Sequence, residues 1–528
     1  MATLSTRQTV KSLPALGALA LLGAVLGVSA AEPAGGLNFV EVPAERSGLK
    51  HVFNSDPKLG EMKYIWMSSL VDIDGDGKLD ALAYGHHGGG AAVFLGKGDG
   101  TFVFDDRGYM LRWPFGARDP VWIDLTGSGA PDGIGTEGSG IVGRLFLNDG
   151  KGHFRKTDLA VDGGGIGGQQ ISDLDGDGYH REFFIGGTAL QPEPPLNEWV
   201  LTKVAGLKLK ELWKTDQLLT RPQGVTPGAG PATAGFREAY AVDLNGDDKN
   251  ELIVHFRGGD GFSSKELYSY VLVRDGPTWK DATAAAGLPM NQGHWFYPED
   301  VDVDGSLDIV DLYSGEWHRN DGKGRFTLSP QRMFDPEKRL LGRKGSPWTT
   351  DNEHQWLDLD NNGFRDFVTA SDHGTEHGVY LNLGGGRFVE TGGVPSGRRN
   401  RKFGDVDGDH KLDMVSMGKD RLTLHRNATP QNGLHIRLTP KTPSDSFLGA
   451  KIWVYQDGKL GDPKALVHYR QGFMDRTSGR SHNLTPLLHV GLGSAEKVDV
   501  RVRFASGEVR EERGAKAGSV VAIREVKQ

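Results

Sequence analysis

No cysteine occurs in the 528 residues. Disulfides, a cysteine-linked lipid anchor, a thiol nucleophile and thiolate metal sites are therefore all excluded. The patterns G-x-S-x-G and H-E-x-x-H and the phosphate-binding P-loop are also missing, so the common hydrolase, zinc-protease and nucleotide signatures are absent. Positive charge is in the minority, with 61 Lys and Arg against 69 Asp and Glu and a net charge of −8. That balance argues against a nucleic-acid partner. Long apolar runs are lacking outside the N-terminus, so no membrane span is expected once that segment is removed.

At the N-terminus, Arg7 and Lys11 precede the apolar stretch L-P-A-L-G-A-L-A-L-L-G-A-V-L-G-V-S-A, residues 13–30. Val28-Ser29-Ala30 supplies a small-residue cleavage pattern. Residues 1–30 read as a signal peptide, with an uncleaved membrane anchor as the alternative, and the protein as secreted or periplasmic. An exported chain without disulfides needs another kind of staple.

Glycine is abundant, at 77 residues, without the G-X-Y period of collagen, which suggests a turn-rich all-β chain. Seven stretches share one template, with an acid or a substitute at positions 1, 3, 5 and 9. They are Asp72-Asp74-Asp76-Asp80, Asp124-Thr126-Ser128-Asp132, Asp173-Asp175-Asp177 with Glu182 one place late, Asp243-Asn245-Asp247-Glu251, Asp300-Asp302-Asp304-Asp308, Asp358-Asp360-Asn362-Asp366 and Asp405-Asp407-Asp409-Asp413. Successive starts lie 52, 49, 70, 57, 58 and 47 residues apart, a recurrence that points to a propeller or solenoid.

Each unit has an apolar strand before the loop and another after it, then a hairpin and a third strand. A glycine-rich turn follows, as in F-L-G-K-G-D-G-T-F, F-L-N-D-G-K-G-H-F, H-R-N-D-G-K-G-R-F and Y-L-N-L-G-G-G-R-F. Its Phe opens a fourth strand. Four strands in each of seven units predict a seven-bladed β-propeller over residues 31–430. The seventh unit lacks its fourth strand. Residues 36–49, G-L-N-F-V-E-V-P-A-E-R-S-G-L, resemble the strand-four segment 278–288, so residues 38–43 are expected to complete the last blade and protect its edge. Residues 431–528 read as a small β-sandwich of short strands separated by turns such as Q-D-G-K-L-G.

The loops are not EF-hands. Position 12, where an EF-hand carries Glu, is Ala83, Gly135, Phe184, Val254, Asp311, Thr369 and Ser416 in turn. The flanks alternate like strands, so the motif is a shorter β-loop. Acids at 1, 3 and 5 converge, glycine at 6 permits the turn, and position 9 returns from the next strand. Hard oxygen donors in this number suit structural calcium. The second loop, with Thr126 and Ser128, is left outside the ligand set. Removing Arg7 and Lys11 takes the net charge from −8 to −10, and six calcium ions would bring it to +2. Empty cages would crowd like charges together.

The D-x-D-G-D-G-x-x-D loops between short strands resemble the FG-GAP or VCBS repeats of the integrin α-subunit propeller. In the tail, L-G-A-K-I-W-V (448–454), R-Q-G-F (470–473), L-H-V-G-L-G (488–493) and V-D-V-R-V-R-F-A-S-G (498–507) resemble the ASPIC/UnbV domain, with Val490 and Phe504-Ala505 departing from its pattern. The pairing is similar to bacterial relatives of cartilage acidic protein. The resemblance implies architecture and says little of function.

In such a propeller the calcium loops share one face, and the hairpins between second and third strands gather on the other. That opposite face collects His86, His87, Glu137, His255, Arg257, Glu316, His318, Asp372, His373, Glu376 and His377. Its inter-blade loops add Trp113, Arg118, His294, Trp295, His354 and Arg398. The convergence suits a polar ligand such as a sugar, and admits a transition metal besides calcium. H-G-T-E-H lies in a hairpin, so the helical zinc argument does not apply to it. Two function classes follow. One is an exported calcium-binding module for a carbohydrate or extracellular protein ligand. The other is an enzyme of lyase or hydrolase type on a carbohydrate or similar polar substrate, which related propellers in sugar lyases allow by analogy.

Overall fold

The computed structural model describes residues 36–52, 65–85, 91–105, 121–124, 126–137, 142–162, 169–172, 182–185, 195–202, 206–214, 235–257, 267–275, 278–290, 294–312, 314–334, 353–370, 378–392, 394–395, 399–418, 420–441, 448–473, 482–483 and 487–526. The segment 1–30 lies outside them. The fold is all-β. Among the described residues no helix is long and apolar enough to cross a membrane.

Antiparallel four-stranded sheets follow one another along the chain. The first holds Ile65–Val71, Asp80–Gly85, Ala91–Gly96 and Phe102–Phe104. The second holds Val121–Ile123, Asp132–Glu137, Val142–Asn148 and Phe154–Asp162, and the third Gln169–Ser172, Glu182–Ile185, Pro195–Thr202 and Gly206–Lys214. The fourth holds Gly235–Val242, Glu251–Arg257, Leu267–Asp275 and Thr278–Asp281, and the fifth Phe296–Glu299, Asp308–Asp311, Glu316–Asn320 and Phe326–Arg332. The sixth holds Glu353–Leu357, Asp366–Ala370, Val379–Asn382 and Phe388–Thr391. This arrangement is consistent with a β-propeller. Burial falls from the first strand to the fourth. Every residue of Phe296–Glu299 and Asp308–Asp311 is buried, whereas Phe326–Arg332 buries only its leading Phe. Inner strands covered on both faces need continuous apolar runs, and outer strands do not.

The last of these sheets is assembled from both ends of the region. Arg399–Gly404, Asp413–Met417 and Leu422–Asn427 are joined by Phe39–Val42, which pairs antiparallel with Leu422–Asn427, Phe39 opposite Asn427. The strand expected over 38–43 therefore lies in the fourth position. A one-turn helix, Ala44–Ser47, follows and ends on Gly48 with φ 79°. A Cβ there would lie 2.0 Å from the Phe102 carbonyl oxygen, so only glycine fits where this turn meets the first sheet. The Gly100 amide also donates to Val406 O at 2.9 Å, which joins the first and last sheets directly.

A repeated asparagine locks neighbouring sheets. Asn148, Asn320, Asn382 and Asn427 end third strands, and their side-chain amides donate to Ile73 O, Leu244 O, Val301 O and Leu359 O of the preceding sheet's loop at 2.9, 2.7, 3.0 and 2.8 Å. The amide is buried, so each bond replaces water that is no longer present.

In the C-terminal region, Lys451–Gln456 pairs with both Leu466–Gln471 and Lys497–Arg503, and Val509–Lys516 forms the edge. Asn432–Thr439 pairs antiparallel with Leu487–Gly493 and parallel with Val520–Arg524. The two sheets share one apolar cluster including Leu434, Ile436, Ile452, Val454, Val490, Val500 and Val502, which also takes in Ile123 and Leu145 of the second sheet. His482–Asn483 adds a parallel strand beside Val121–Ile123.

Candidate functional site

Each described acidic loop joins the first two strands of a sheet, and its shape follows from backbone hydrogen bonding. The position-1 acid accepts amides from the loop's far side: Asp72 Oδ2 from Gly77 at 2.8 Å, Asp300 Oδ2 from Gly305 at 3.0 Å and Asp358 Oδ2 from Gly363 at 2.8 Å. The position-9 acid is buried and pins two strands. Asp80 takes the Ile73 amide on one oxygen and the Gly96 amide on the other, both at 2.8 Å. Asp366 does the same with Leu359 and Asn382, and Asp413 with Val406 and Asn427. This second duty of position 9, holding the third strand, was not evident from spacing.

Carboxylate oxygens lie within 4.8 Å of one another in Asp72-Asp74-Asp80, Asp300-Asp302-Asp304, Asp358-Asp360-Asp366 and Asp405-Asp407-Asp413, and these groups could hold a metal. Burial first, with neighbouring carboxylates adding to it, pushes the buried acids among them toward the neutral form. Asp72 rises to about 6, Asp80 to about 8 and Asp413 to about 7. Asp300, Asp308, Asp358 and Asp366 are raised well above the usual range. Asp72 Oδ1 and Asp302 Oδ1 are buried without a hydrogen-bond donor. The donor set is all oxygen, so these residues fit a hard divalent cation such as calcium.

Protein cations occupy part of this chemistry. Arg319 caps the fifth sheet's loop, Nε at 2.7 Å from Asp302 Oδ2 and Nη2 at 3.0 Å from Asp304 Oδ2, and Arg426 pairs with Asp407. In the fourth sheet's loop, Lys451 of the C-terminal region places Nζ at 2.5 Å from Asp243 Oδ2 and 2.7 Å from Asp248 Oδ1. Asn245 Nδ2 donates there to Glu251 Oε1 at 2.9 Å, and burial lifts Glu251 to about 7.

The loop face is thus where the C-terminal sheets dock. Gly493 N donates to Asn361 O at 2.6 Å, and the buried Asn361 side chain donates to His410 O at 3.1 Å. A Cβ on Gly491 would fall 2.0 Å from Asp358 Oδ2, which explains the glycine in L-H-V-G-L-G as a close backbone approach. Phe473 of R-Q-G-F packs with the inner-strand residues Tyr240 and Tyr297, ring centroids 5.9 and 6.0 Å away. Asp248, Asn361 and His410 hold left-handed backbone at φ 66°, 57° and 61°, and each touches the C-terminal region or a residue that does. A cavity of about 710 Å³ opens along this seam.

On the opposite face, Asp311, Ser314, Glu316, His294 and His318 form a network. Asp311 Oδ2 accepts from Ser314 Oγ at 2.6 Å and lies 2.9 Å from His294 Nδ1, while its Oδ1 takes the Trp295 amide at 2.9 Å. Burial keeps His318 below its usual range, opposed by Asp311 and Glu316. Glu316 pairs with Arg332. His255 lies inside the strand Glu251–Arg257, 1 % exposed, with Nε2 2.9 Å from Phe296 O and its ring stacked on Trp295 at 4.6 Å. His354 is likewise buried, against Tyr297. Arg257 and Glu137 end their strands. His86, His87, Asp372, His373, Glu376 and His377 lie outside the described residues, as do Asp173, Asp175 and Asp177, while Glu182 opens the strand Glu182–Ile185. The spacing of the repeat gave no hint of Lys451, His410, His435 or Asp311 as site residues. The one available signal was His410 and Asp248 standing where other loops carry glycine.

Residues 358–429 match the FG-GAP-like repeat family and residues 441–528 match the ASPIC and UnbV family. The first match covers most of the sixth and last sheets and the second most of the C-terminal region, as the motifs of each suggest. No curated protein matches the chain. Among solved structures, the chain is similar to an Agrocybe aegerita structure concerned with recognition of non-reducing terminal N-acetylglucosamine (17% identity, 69% of this chain and 78% of that one, TM-score 0.30). It is also similar to the SapL1 lectin with α-methyl fucoside (10%, 62% and 96%, TM-score 0.32). A third is the periplasmic gluconolactonase PpgL of Pseudomonas aeruginosa (11%, 85% and 98%, TM-score 0.34). Likeness at this level carries neither blade number nor activity.

Proposed function

We propose that the chain is an exported, calcium-stabilised seven-bladed propeller, residues 31–430, with a β-sandwich, 431–528, closed over its calcium-loop face. In this reading the signal peptide is residues 1–30 and the mature protein acts as a binding or adhesion module for a carbohydrate or extracellular protein ligand. The observation that carries it is the recurrence of converging carboxylates on loop after loop, with Asp72 Oδ1 and Asp302 Oδ1 buried and lacking a donor. The pairing of Phe39–Val42 into the last sheet and the Gly100–Val406 bond support a closed ring. The proposed calcium ligands are those of the 72, 173, 243, 300, 358 and 405 loops. The 72, 300, 358 and 405 loops are the best supported. At the 243 loop, calcium requires the Lys451 ammonium to move aside.

With the loop face covered, the open face for a large ligand is the opposite one. A panel of immobilised glycans and extracellular matrix proteins, probed with the full chain with and without calcium, tests this role. Saturable binding that is lost on chelation supports it, and absence of binding to every glycan and protein refutes it. The enzyme reading draws on one specific observation, the buried Asp311 joining His294 and Ser314. Its test is release of new reducing or unsaturated ends from polysaccharides, abolished by Asp311→Asn.

A further inference from the structure

We propose that Asp405, His410 and His435 form a site for one late first-row divalent cation, zinc first, at the seam between the last sheet and the C-terminal region. His410 Nδ1 and His435 Nδ1 face each other at 2.8 Å, and His435 Nδ1 lies 3.7 Å from Asp405 Oδ2. A tetrahedral zinc with bonds of about 2.0–2.1 Å holds its ligand atoms roughly 3.3 Å apart. The two separations bracket that value, so side-chain adjustments of a few tenths of an ångström would accommodate the ion.

The two histidines are delivered by different parts of the chain for different local reasons. His410 is the sixth residue of D-V-D-G-D-H-K-L-D, with φ 61°. Gly77, Gly305 and Gly363 stand at the same position of other loops, where a left-handed backbone suits glycine and strains histidine. The strained backbone aims a ring at the seam. His435 comes from the strand Asn432–Thr439, whose alternate residues Leu434, Ile436 and Leu438 fill the tail's core. Period two turns His435 the other way, onto the acidic loop, where it is 4 % exposed.

A third imidazole supports the pair. His489 is the register partner of His435 on the neighbouring strand, and its Nε2 lies 3.3 Å from the His410 carbonyl oxygen. That contact holds the backbone from which the His410 ring projects. Two nitrogen donors with one carboxylate suit zinc, copper or nickel and are poorly matched to calcium, so this site is chemically distinct from the Asp405-Asp407-Asp413 oxygen cage with which it shares Asp405. Asp405, His410, His435 and His489 all line the 710 Å³ cavity. A three-ligand site opening on a cavity leaves a coordination position for water or an anionic group. Arg437 and Arg470 line the same cavity and supply positive charge toward such a group. The site does not depend on whether the other loops hold calcium.

The test uses the full chain, stripped with chelator, resupplied with excess calcium and titrated with cobalt(II) and then zinc. The expected result is one equivalent bound, with the visible bands of four-coordinate cobalt displaced by zinc. His410→Gly and His435→Gln should each weaken uptake by roughly 100-fold or more. His410→Gly is the cleaner variant, since glycine is what the other loops use at that position, and it decides the matter alone if His435→Gln does not fold. The proposal is overturned if no cobalt or zinc binds beside calcium, which would leave the histidines as a simple hydrogen-bonded pair, or if His410→Gly binds as tightly as the parent.

Discussion

The Lys451 ammonium lies 2.5 Å from Asp243 Oδ2, a carboxylate 208 residues away that opens the fourth sheet's acidic loop. Both side chains are buried, at 9 % and 2 % exposure. The tail thus supplies a positive charge to a carboxylate that calcium would also use. Removing one partner of a buried pair leaves the other charge uncompensated, at a cost of about 3–5 kcal/mol. Lys451→Met should lower the melting temperature in chelator. In calcium the loss should be largely recovered, and the 243 loop should fill at a lower calcium concentration than in the parent, where the metal must displace the ammonium; calcium titration measures this.

Phe473 is one of the tail's apolar contacts with the sheets. Its ring fills the space between Tyr240 and Tyr297 and belongs to the same apolar cluster as the inner strands. Phe473→Ala removes that plug and should cost about 3–5 kcal/mol. Denaturant unfolding followed by tryptophan fluorescence should shift to a lower midpoint, and limited proteolysis should cut first near residue 430. An unshifted midpoint would show that the tail is held elsewhere.

The sheet-to-sheet asparagines make a separate prediction. Asn320 donates to Leu244 O and Leu307 O and accepts the amides of Gly322 and Gly324 at 3.0 and 3.1 Å. Asn320→Ala orphans these buried groups and should destabilise by about 2 kcal/mol or more. Asn320→Asp should do no better, because a carboxylate would then face two carbonyl oxygens. Denaturant titration of both variants checks this.

The pH dependence follows from the raised carboxylates. Asp80, at about 8, and Asp413 and Glu251, at about 7, lie above their unfolded values, chiefly through burial. A metal-free fold binds more protons than the unfolded chain between roughly pH 4 and 8, so its stability falls as pH rises through that window. Calcium competes with those protons and binds better as pH rises. The melting-temperature gain from calcium should therefore grow between pH 5 and pH 8. A gain independent of pH would mean that these acids are not ligands.

How far the sequence carried the structure differs between elements. The D-x-D-G-D-G loops and the glycine turns are local signals, since each hydrogen bond within them spans only a few residues, and the strands around them fall where the repeat places them. The strand at Phe39–Val42 was legible because it resembles another fourth strand in the same chain. The docked tail was not. Lys451, Phe473, Gly491 and His435 meet partners that are remote in sequence, and no periodicity marks such encounters. The face opposite the loops drew attention through its histidines, of which His255 and His354 are buried; ring burial cannot be read from a residue's type. His410 could have been found, as the residue that breaks the glycine rule of its own loop.

The most direct test of the account is the calcium content and melting temperature of the full chain before and after chelation. The account predicts several calcium equivalents per chain, a marked fall in melting temperature when they are removed, and recovery when calcium alone is returned. A chain that retains no calcium and melts at the same temperature with and without chelator would contradict it.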